Sequence, residues 1–362
     1  MNQFDISPFV SQFLGIVEFH SYPILDGHIH DGWYIYSNHP HYPEAILQKV
    51  NTHVFMDPAG LMENIYNVTT YLQNQFATQK QLRLIRTRSG QIYFQSPDGS
   101  IWRMFVKISN SYTTRITKNL SQVSEAGRVT GYFLKQLQDY PVHSLNISIP
   151  DFHNTQKRYQ DFLQALSTAD AKLVQAAQAE IQFLHDRSDQ FGLFWDALHE
   201  QRLPWRVTHN DTKLDNILFD LDTDQAICLI DLDTIMPGSA LFDFGDALRA
   251  MGNPCAEDEA DLERVNFQIP VFEAYTQGYL TAAGDILTEQ EISWLALSPW
   301  LITIEIGMRF LTDYLQGNQY FRIHYSHQNL NRCRTQIKLA SDMEAQQLLM
   351  KSIIQEISKG IY

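Results

Sequence analysis

The feature that most constrains the fold is the position of the strand-like and helix-like patterns along the chain. In the first third, apolar and aromatic residues alternate or run together in short stretches such as HDGWYIYS and EAILQKV, which is typical of strands. From about residue 122 they recur at helical spacing instead, as in SEAGRVTGYFLKQLQDY. Patterns segregated in this way predict an α+β protein.

The order of these elements predicts two lobes. Three strands precede a helix that begins at Asp57-Pro58, and three more strands follow it. We therefore predict a small, mixed, β-rich N-lobe over residues 1–110 and a larger, mainly helical C-lobe over residues 111–362. Within the second lobe, one pair of short strands is predicted, at residues 216–218 and 227–231. A chain of 362 residues is long enough for two lobes.

Charge and cysteine content exclude several kinds of partner. The chain has 27 Lys and Arg against 41 Asp and Glu, a net charge of −14, which disfavours general binding to nucleic acids or anionic membranes. The N-terminus has no basic start, and the apolar run over residues 294–304 is too short to span a bilayer. Three scattered cysteines indicate reduced thiols. We expect a cytoplasmic protein.

A dense polar motif, VTHNDTKLDNILFD, is followed at once by AICLIDLDTIMPG. Asp211 and Asn216 lie five residues apart, and Asp231 follows the second apolar run. Phosphoryl transfer needs a carboxylate that receives a hydroxyl proton and oxygen ligands for Mg²⁺, and this spacing is that of a kinase catalytic loop. Taken singly, Asp211 and Asn216 also suit loop capping. An unpaired Asp231 beside a buried strand is costly, which favours the functional interpretation.

This motif resembles that of the aminoglycoside phosphotransferase-like kinases, which share the protein-kinase architecture. In that family a catalytic loop with the pattern His-x-Asp is followed by an Asn and then by a strand that ends in Asp. The matching residues here are HND at 209–211, Asn216 and the pair Ile230-Asp231. The resemblance implies Asp211 as catalytic base and Asn216 and Asp231 as metal ligands. It further implies that His209 braces the loop and that Asp243, in FDFGDALR, fixes it from below.

A closer resemblance is to the N-acetylhexosamine 1-kinases, which phosphorylate the anomeric hydroxyl of GlcNAc or GalNAc. It rests on segments spanning Gly27 to Leu339, namely GHIHDGWYI, AILQKVNTHVFMDPAGLMENI, IPDFHNTQKRY, THNDTKLDNILFD, IDLDTIMPGSALFDFGDALR, ITIEIGMRFLTDYLQGNQYFRI and NLNRCRTQIKL. The resemblance implies Mg²⁺, ATP as phosphoryl donor, a small-molecule sugar acceptor and an active site between the lobes. It leaves the preferred hexosamine, ATP against another nucleoside triphosphate, and the oligomeric state open.

The nucleotide side carries weaker signals. The loop LDGHIHDG, with Gly27 and His28, lacks the G-x-G-x-x-G pattern of protein kinases but by resemblance lies over the phosphates. Lys49, on the third strand, is the candidate for the α- and β-phosphates, and Glu63, on the next helix, is its candidate partner. An edge-strand lysine on the surface and a solvated helix face are the alternatives for these two residues.

Two further residues are candidates for the acceptor. Asp233 either contacts a second metal or the sugar, or solvates the turn before Pro237-Gly238. Arg309 lies with Glu305 and Asp313 on one stripe of an apolar helix. This stripe is either a ladder of salt bridges, or it exposes Arg309 to sugar oxygens with the two acids as structural partners. A buried arginine needs specific partners, and the resemblance favours the second interpretation.

Three alternative functions compete with the sugar kinase. A choline or aminoglycoside kinase of the same fold is the nearest of them. A metal-dependent amidohydrolase with His28 and His30 as zinc ligands requires strand–helix alternation along the whole chain. A kinase-like binding module without chemistry predicts loss of Asp211, Asn216 or Asp231, all of which are present.

Overall fold

The computed structural model describes residues 5–16, 18–25, 29–37, 39 and 41–360. The chain forms two compact units by contact. Unit 1 comprises Met1–Tyr112, Pro141–Pro150 and Leu218–Met236. Unit 2 comprises Thr113–Tyr140, Asp151–Ile217 and Pro237–Tyr362.

Unit 1 contains a six-stranded sheet with the order β1-β2-β3-β6-β4, in which β5 also pairs with β6. Each of these pairs is antiparallel. The predicted order of three strands, a helix and three strands is confirmed, and a short helix, α1 (Ser7–Leu14), precedes it. The strands are β1 (His20–Ile24), β2 (Asp31–Tyr36), β3 (Ala45–Val50), β4 (Leu84–Ile85), β5 (Phe94–Gln95) and β6 (Ile101–Val106).

The register of β3 against β6 decides which side chains share a face of this sheet. Lys49 lies opposite Trp102, and Gln48 lies opposite Arg103. Because side chains alternate along a strand, Lys49 and Trp102 lie on one face and Arg103 on the other. The first face is covered by α1, whose Phe9 stacks on Trp102 with ring centroids 3.8 Å apart. One apolar core cluster of unit 1 thus lies on the Lys49 side.

The helix predicted from Asp57-Pro58 is α2 (Pro58–Gln75), and the Asp57 side chain caps it by accepting from Gly60 N–H at 3.0 Å. The predicted apolar face is buried, as residues Leu61, Ile65, Val68 and Leu72 show. Buried Asn64 on the same helix donates to the backbone oxygens of Asn146 at 2.8 Å and Ile235 at 3.0 Å. These bonds attach two later segments of the chain to unit 1.

The predicted strand pair in the second half of the chain is also present. β9 (Ile217–Asp220) pairs with β10 (Ala226–Leu229) and with β7 (Ser111–Tyr112) in a three-stranded sheet. The amidohydrolase alternative is therefore wrong. The described residues form three separate sheets, the largest of them antiparallel, rather than a parallel barrel, and His28 lies outside the described residues.

Unit 2 is built mainly from helices that pack closely. A Cβ atom on Gly127 would lie 2.1 Å from the backbone oxygen of Tyr275, so glycine is required where these two helices cross. No helix in the described ranges is long and apolar enough to cross a membrane. The helices are α3 (Leu120–Gln136), α4 (Thr155–Thr168), α5 (Ala171–Ala176), α6 (Gln178–His185), α7 (Leu193–His199), α8 (Ala240–Met251), α9 (Ile269–Ala283), α10 (Glu289–Trp294), α11 (Ser298–Leu315) and α12 (Gln328–Lys359), and β8 (Arg206–Thr208) pairs with β11 (Met236–Gly238).

Candidate active site

Asp211 lies on a loop that follows the buried end of β8 in unit 2. Asn210 adopts a left-handed backbone conformation, with φ 64°, which asparagine tolerates better than most residues. The loop brings the predicted base and the predicted amide ligand together. Asn216 Nδ2 donates to the backbone oxygen and to Oδ2 of Asp211, both at 2.8 Å.

The two oxygens of the Asp211 carboxylate have different surroundings. Lys213 Nζ lies 2.9 Å from Oδ2, the same atom that Asn216 contacts. Oδ1 accepts no hydrogen bond from any residue that the structure describes, so it is the oxygen available for a hydroxyl proton. Carboxylate oxygens only accept, so Asn216 presents its nitrogen to Asp211 and keeps its own oxygen for a cation.

Asp243, in the first turn of α8, fixes this loop through its backbone. Its carboxylate accepts from the N–H groups of His209 at 2.9 Å and Asn210 at 2.7 Å. Its own backbone oxygen accepts from Thr212 Oγ1 at 2.6 Å. Burial raises the pKa of Asp243, and His209 and the two N–H groups offset this only in part. Buried His209 accepts from the Asp211 N–H through Nδ1 at 3.3 Å.

A second buried pair, His153 and Glu305 of α11, also contacts this loop. His153 Nε2 lies 3.2 Å from the backbone oxygen of Asn210, and His153 Nδ1 lies 3.0 Å from Glu305 Oε1. The other oxygen of Glu305 accepts from Thr155 Oγ1 at 2.7 Å. Glu305 therefore pairs with His153 and does not form a salt bridge with Arg309 of its own helix.

The stripe on α11 is not a ladder of salt bridges. Asp313 is buried and accepts from the N–H groups of residues 319, 320 and 321 at 2.8, 2.7 and 2.9 Å. Asn329 Nδ2 donates to it as well, at 2.8 Å. Asp313 thus holds the chain that follows α11, including Tyr320 and Phe321.

Arg309 contacts two aromatic rings. Its guanidinium carbon is 6.0 Å from the ring centre of Phe152 and 5.6 Å from that of Phe321, within the range of cation–π contacts. Burial lowers the pKa of Arg309, and the neighbouring Arg158 lowers it further. Neither guanidinium has a carboxylate within salt-bridge distance among the described residues, and the charge of Glu305 acts on both from farther away.

In unit 1, Asp231 follows β10 in a left-handed backbone conformation, and Asp233 lies in the short 3-10 helix that comes next. Asp231 has φ 60°. Asp233 is buried, with Arg103 Nη1 and His30 Nε2 in contact with its two oxygens and Arg103 Nη2 at 2.9 Å. His30 Nδ1 accepts from Asn51 N–H at 3.0 Å, so its proton is on Nε2. Burial favours a higher pKa for Asp233, but Arg103 and His30 outweigh burial and lower that pKa.

The donors fit a hard divalent cation. Ligand atoms of Asp231, Asp233 and His30 lie within 4.8 Å of one another. Two carboxylates suit Mg²⁺. This ion prefers oxygen ligands, and its remaining coordination positions are usually filled by substrate phosphates and water. Asp233 already accepts from Arg103 and His30.

The expected pair of Lys49 and Glu63 is not formed, and that expectation is corrected. Lys49 Nζ lies 5.9 Å from the ring centre of Trp102, on the face of the sheet that α1 covers. Glu63 instead accepts from Asn146 Nδ2 at 3.1 Å. Strand alternation is the reason, because it directs Lys49 away from the face of Arg103. Gly27 and His28 lie outside the described residues.

Sequence reasoning missed two residues of these clusters. Arg103 is 1% exposed and is the cation that Asp233 binds. Its signal was a single charge inside the apolar strand IWRMFV, where a buried cation requires a partner. Lys213 was visible as the lysine two positions after Asp211.

Solved structures with the same fold include three kinases. A microcompartment-associated aminopropanol kinase matches with a TM-score of 0.62 and 14% identity, over 95% of this chain and 97% of that chain. An aminoglycoside phosphotransferase from Alicyclobacillus acidocaldarius matches with a TM-score of 0.60 and 17% identity, over 96% of this chain and 95% of that chain. An ethanolamine kinase of Plasmodium vivax matches with a TM-score of 0.57 and 12% identity, over 91% of this chain and 85% of that chain. The predicted two-lobe, protein-kinase-like fold with a mixed β-rich N-lobe and a helical C-lobe is confirmed.

The family comparison covers the part of the chain that carries the polar motif. Residues 78–285 match the APH phosphotransferase enzyme family. The match covers more than half of the 362 residues and includes Asp211, Asn216, Asp231 and Asp243. The chain belongs to the phosphotransferase enzyme family.

Proposed function

We propose that the protein is a kinase that transfers the γ-phosphoryl group of ATP to the anomeric hydroxyl of an N-acetylhexosamine, GlcNAc or GalNAc. Asp211 is the proposed base. Its carboxylate has Oδ2 bound by Asn216 and Lys213, which leaves Oδ1 to accept the hydroxyl proton. The transfer is direct and in line, because the loop offers a proton acceptor and no phosphate-accepting nucleophile is required.

Asn216 and Asp231 are the proposed Mg²⁺ ligands. The amide oxygen of Asn216 faces away from Asp211, and Asp231 offers a carboxylate, so each has the hard oxygen that Mg²⁺ prefers. When bound, Mg²⁺ neutralises phosphate charge. Arg103 and His30 hold Asp233 and thereby the turn that begins at Asp231.

The feature that supports a sugar over a cationic acceptor is the proximity of two guanidinium groups, those of Arg309 and Arg158. Burial lowers the pKa of Arg309, and the positive charge of Arg158 lowers it further. Choline and aminoglycosides are cations, so they are repelled here. Hydroxyl and acetamide oxygens accept the paired N–H donors of an arginine, and the rings of Phe152 and Phe321 offer apolar faces to a sugar.

An acceptor panel with Mg-ATP tests the proposal. GlcNAc and GalNAc should be phosphorylated and choline and an aminoglycoside should not, with ³¹P NMR showing a phosphate coupled to the anomeric proton. Turnover of choline in preference to any free hexosamine would favour the alternative kinase class.

Two variants test the assigned residues on the same acceptor. Asp211→Asn should retain its fold and lower kcat by at least about a hundredfold, because the proton acceptor is lost. Arg309→Met should raise KM for the hexosamine and leave KM for ATP unchanged. Arg322→Met, at an exposed arginine of the following segment, is the matched control and should change neither constant.

A further inference from the structure

The contact between His153 and Glu305 lies outside the chemistry assigned above, yet it ends on the catalytic loop. His153 is 5% exposed and Glu305 is fully buried. One ring nitrogen of His153 meets the Glu305 carboxylate and the other meets the backbone oxygen of Asn210, the residue before Asp211. The two contacts join residues of α11 and of the loop through one imidazole.

The partners of His153 determine which of its forms satisfies both contacts. A carbonyl oxygen only accepts, and so does an ionised carboxylate. A neutral imidazole has one N–H, so it leaves a lone pair facing one of these two acceptors. The imidazolium has an N–H on each nitrogen and donates to both.

The Asn210–Asp211 peptide group is held at both ends. Its oxygen accepts from His153 at 3.2 Å, and its N–H donates to His209 Nδ1 at 3.3 Å. Asn210 has φ 64°, a conformation that costs energy for a residue other than glycine and persists where its surroundings enforce it. The orientation of this peptide sets the direction in which the Asp211 side chain leaves the loop.

We propose that His153, kept as an imidazolium by Glu305, is a positioning residue that orients the Asn210–Asp211 peptide, and that turnover falls when His153 loses its proton. The proposal rests on the proposed function, in which Asp211 is the base. His153 contacts neither substrate nor the reacting atoms in this account. It acts through the backbone.

The charges around His153 agree with this protonation state. Burial lowers its pKa, but Glu305 more than offsets burial, with further help from Asp246 of α8, and the pKa is raised. Burial favours a higher pKa for Glu305, but His153, together with the hydrogen bond from Thr155, opposes burial and the pKa is lowered. Arg158, on the helix that follows His153, acts on Glu305 in the same direction.

Two further features surround this pair. The charge of His153 also acts on Asp243 of α8, where it opposes the rise in pKa that burial causes. The ring of Phe242 lies 5.0 Å from the imidazole and that of Phe152 lies 4.8 Å from it. These rings shield the pair from water, so the two charges interact in a medium of low polarity.

Glu305→Gln separates the positioning role from a merely structural one. A glutamine amide donates to Nδ1 of a neutral imidazole, whose Nε2–H still reaches Asn210, while its oxygen accepts from Thr155. The wild-type kcat should fall only on the alkaline side of neutral pH, because Glu305 raises the pKa of His153 above the ordinary value of about 6.5. This fall should be absent in Glu305→Gln. An identical alkaline fall in both proteins overturns the proposal.

His153→Leu removes the donor to Asn210 altogether. It should lower kcat by about ten- to hundredfold, as misplacement of a catalytic group does, with KM for ATP unchanged, and His153→Gln should recover part of the loss because its amide can donate to the same oxygen. His199→Gln, at an exposed histidine, is the control. Equal kcat in His153→Leu and the control overturns the proposal.

Two measurements need no acceptor and separate this inference from the proposed function. Histidine ring NMR should show His153 charged through neutral pH, and hydrogen exchange at residues 209–211 should be faster in His153→Gln than in His199→Gln. A neutral His153 or unchanged exchange overturns the positioning role even if the sugar is phosphorylated. If no hexosamine is phosphorylated but both results hold, the proposed function fails and the positioning of the loop stands.

Discussion

Asp233 and Asp243 lie in one short stretch of chain, IDLDTIMPGSALFDFG, and both are buried. Their carboxylates nevertheless have opposite surroundings. Arg103 and His30 donate to Asp233 from their side chains, in unit 1. Backbone N–H groups of His209 and Asn210 donate to Asp243, in unit 2.

The pKa shifts follow this difference. Burial favours the neutral form of both acids. The guanidinium of Arg103 reverses the effect at Asp233 and lowers its pKa, whereas the donors at Asp243 do not, and its pKa is raised. Asp233 is thus an acid that two side chains hold in place, and Asp243 is an acid that holds a loop in place. A buried carboxylate fixes the backbone at the cost of its own ionisation unless a cation accompanies it.

The largest expected effect is that of Asp233→Asn. The variant leaves Arg103 buried without its counter-charge, and the free energy of unfolding should fall by about 3–5 kcal/mol at neutral pH. A lowered carboxyl pKa gives stability that is fully present above the unfolded value of 3.8 and is lost as pH falls through the folded pKa. The loss measured by urea unfolding should therefore be constant from about pH 5 to pH 8.

Asp243→Asn should have a smaller effect with a different dependence on pH. The amide has one accepting oxygen where the carboxylate has two, so the N–H of His209 or Asn210 loses its acceptor, at a cost of about 1–3 kcal/mol. A raised carboxyl pKa gives stability that is present below 3.8 and is lost as pH rises through the folded pKa. The difference in the free energy of unfolding between the wild type and Asp243→Asn, measured by urea unfolding, should therefore narrow with rising pH. Parallel pH profiles for the two variants would refute the contrast between these acids.

The parts of the fold that the sequence predicted depend on local patterns. Alternation marked β2 and β3, and an Asp-Pro start with a helical apolar face marked α2. The spacing of Asp211 and Asn216 was equally informative, because their hydrogen bonds join residues only five positions apart. Helix α1 was missed because eight residues make a marginal helix without the sheet on which it packs.

The missed contacts join residues far apart in sequence. Arg103 and Asp233 are separated by 130 positions, and His153 and Glu305 by 152. No spacing rule connects such residues, and a single position along a strand decides the face on which a side chain lies. Lys49 and Arg103 differ in just this respect. The roles of Asp231, Asp233 and Arg309 stay predictions until they are tested.

Lys49→Met is the smallest change and tests which basic residue matters in unit 1. Methionine retains an unbranched chain against Trp102 and removes a charge that forms no ion pair with a described residue. The free energy of unfolding should change by no more than about 0.5–1 kcal/mol, the value of an exposed cation–π contact. KM for ATP should also be unchanged, because alternation directs Lys49 to the face that α1 covers. Arg103→Met, on the opposite face, should destabilise the protein as strongly as Asp233→Asn. A rise in KM for ATP in Lys49→Met alone would restore Lys49 as the phosphate ligand.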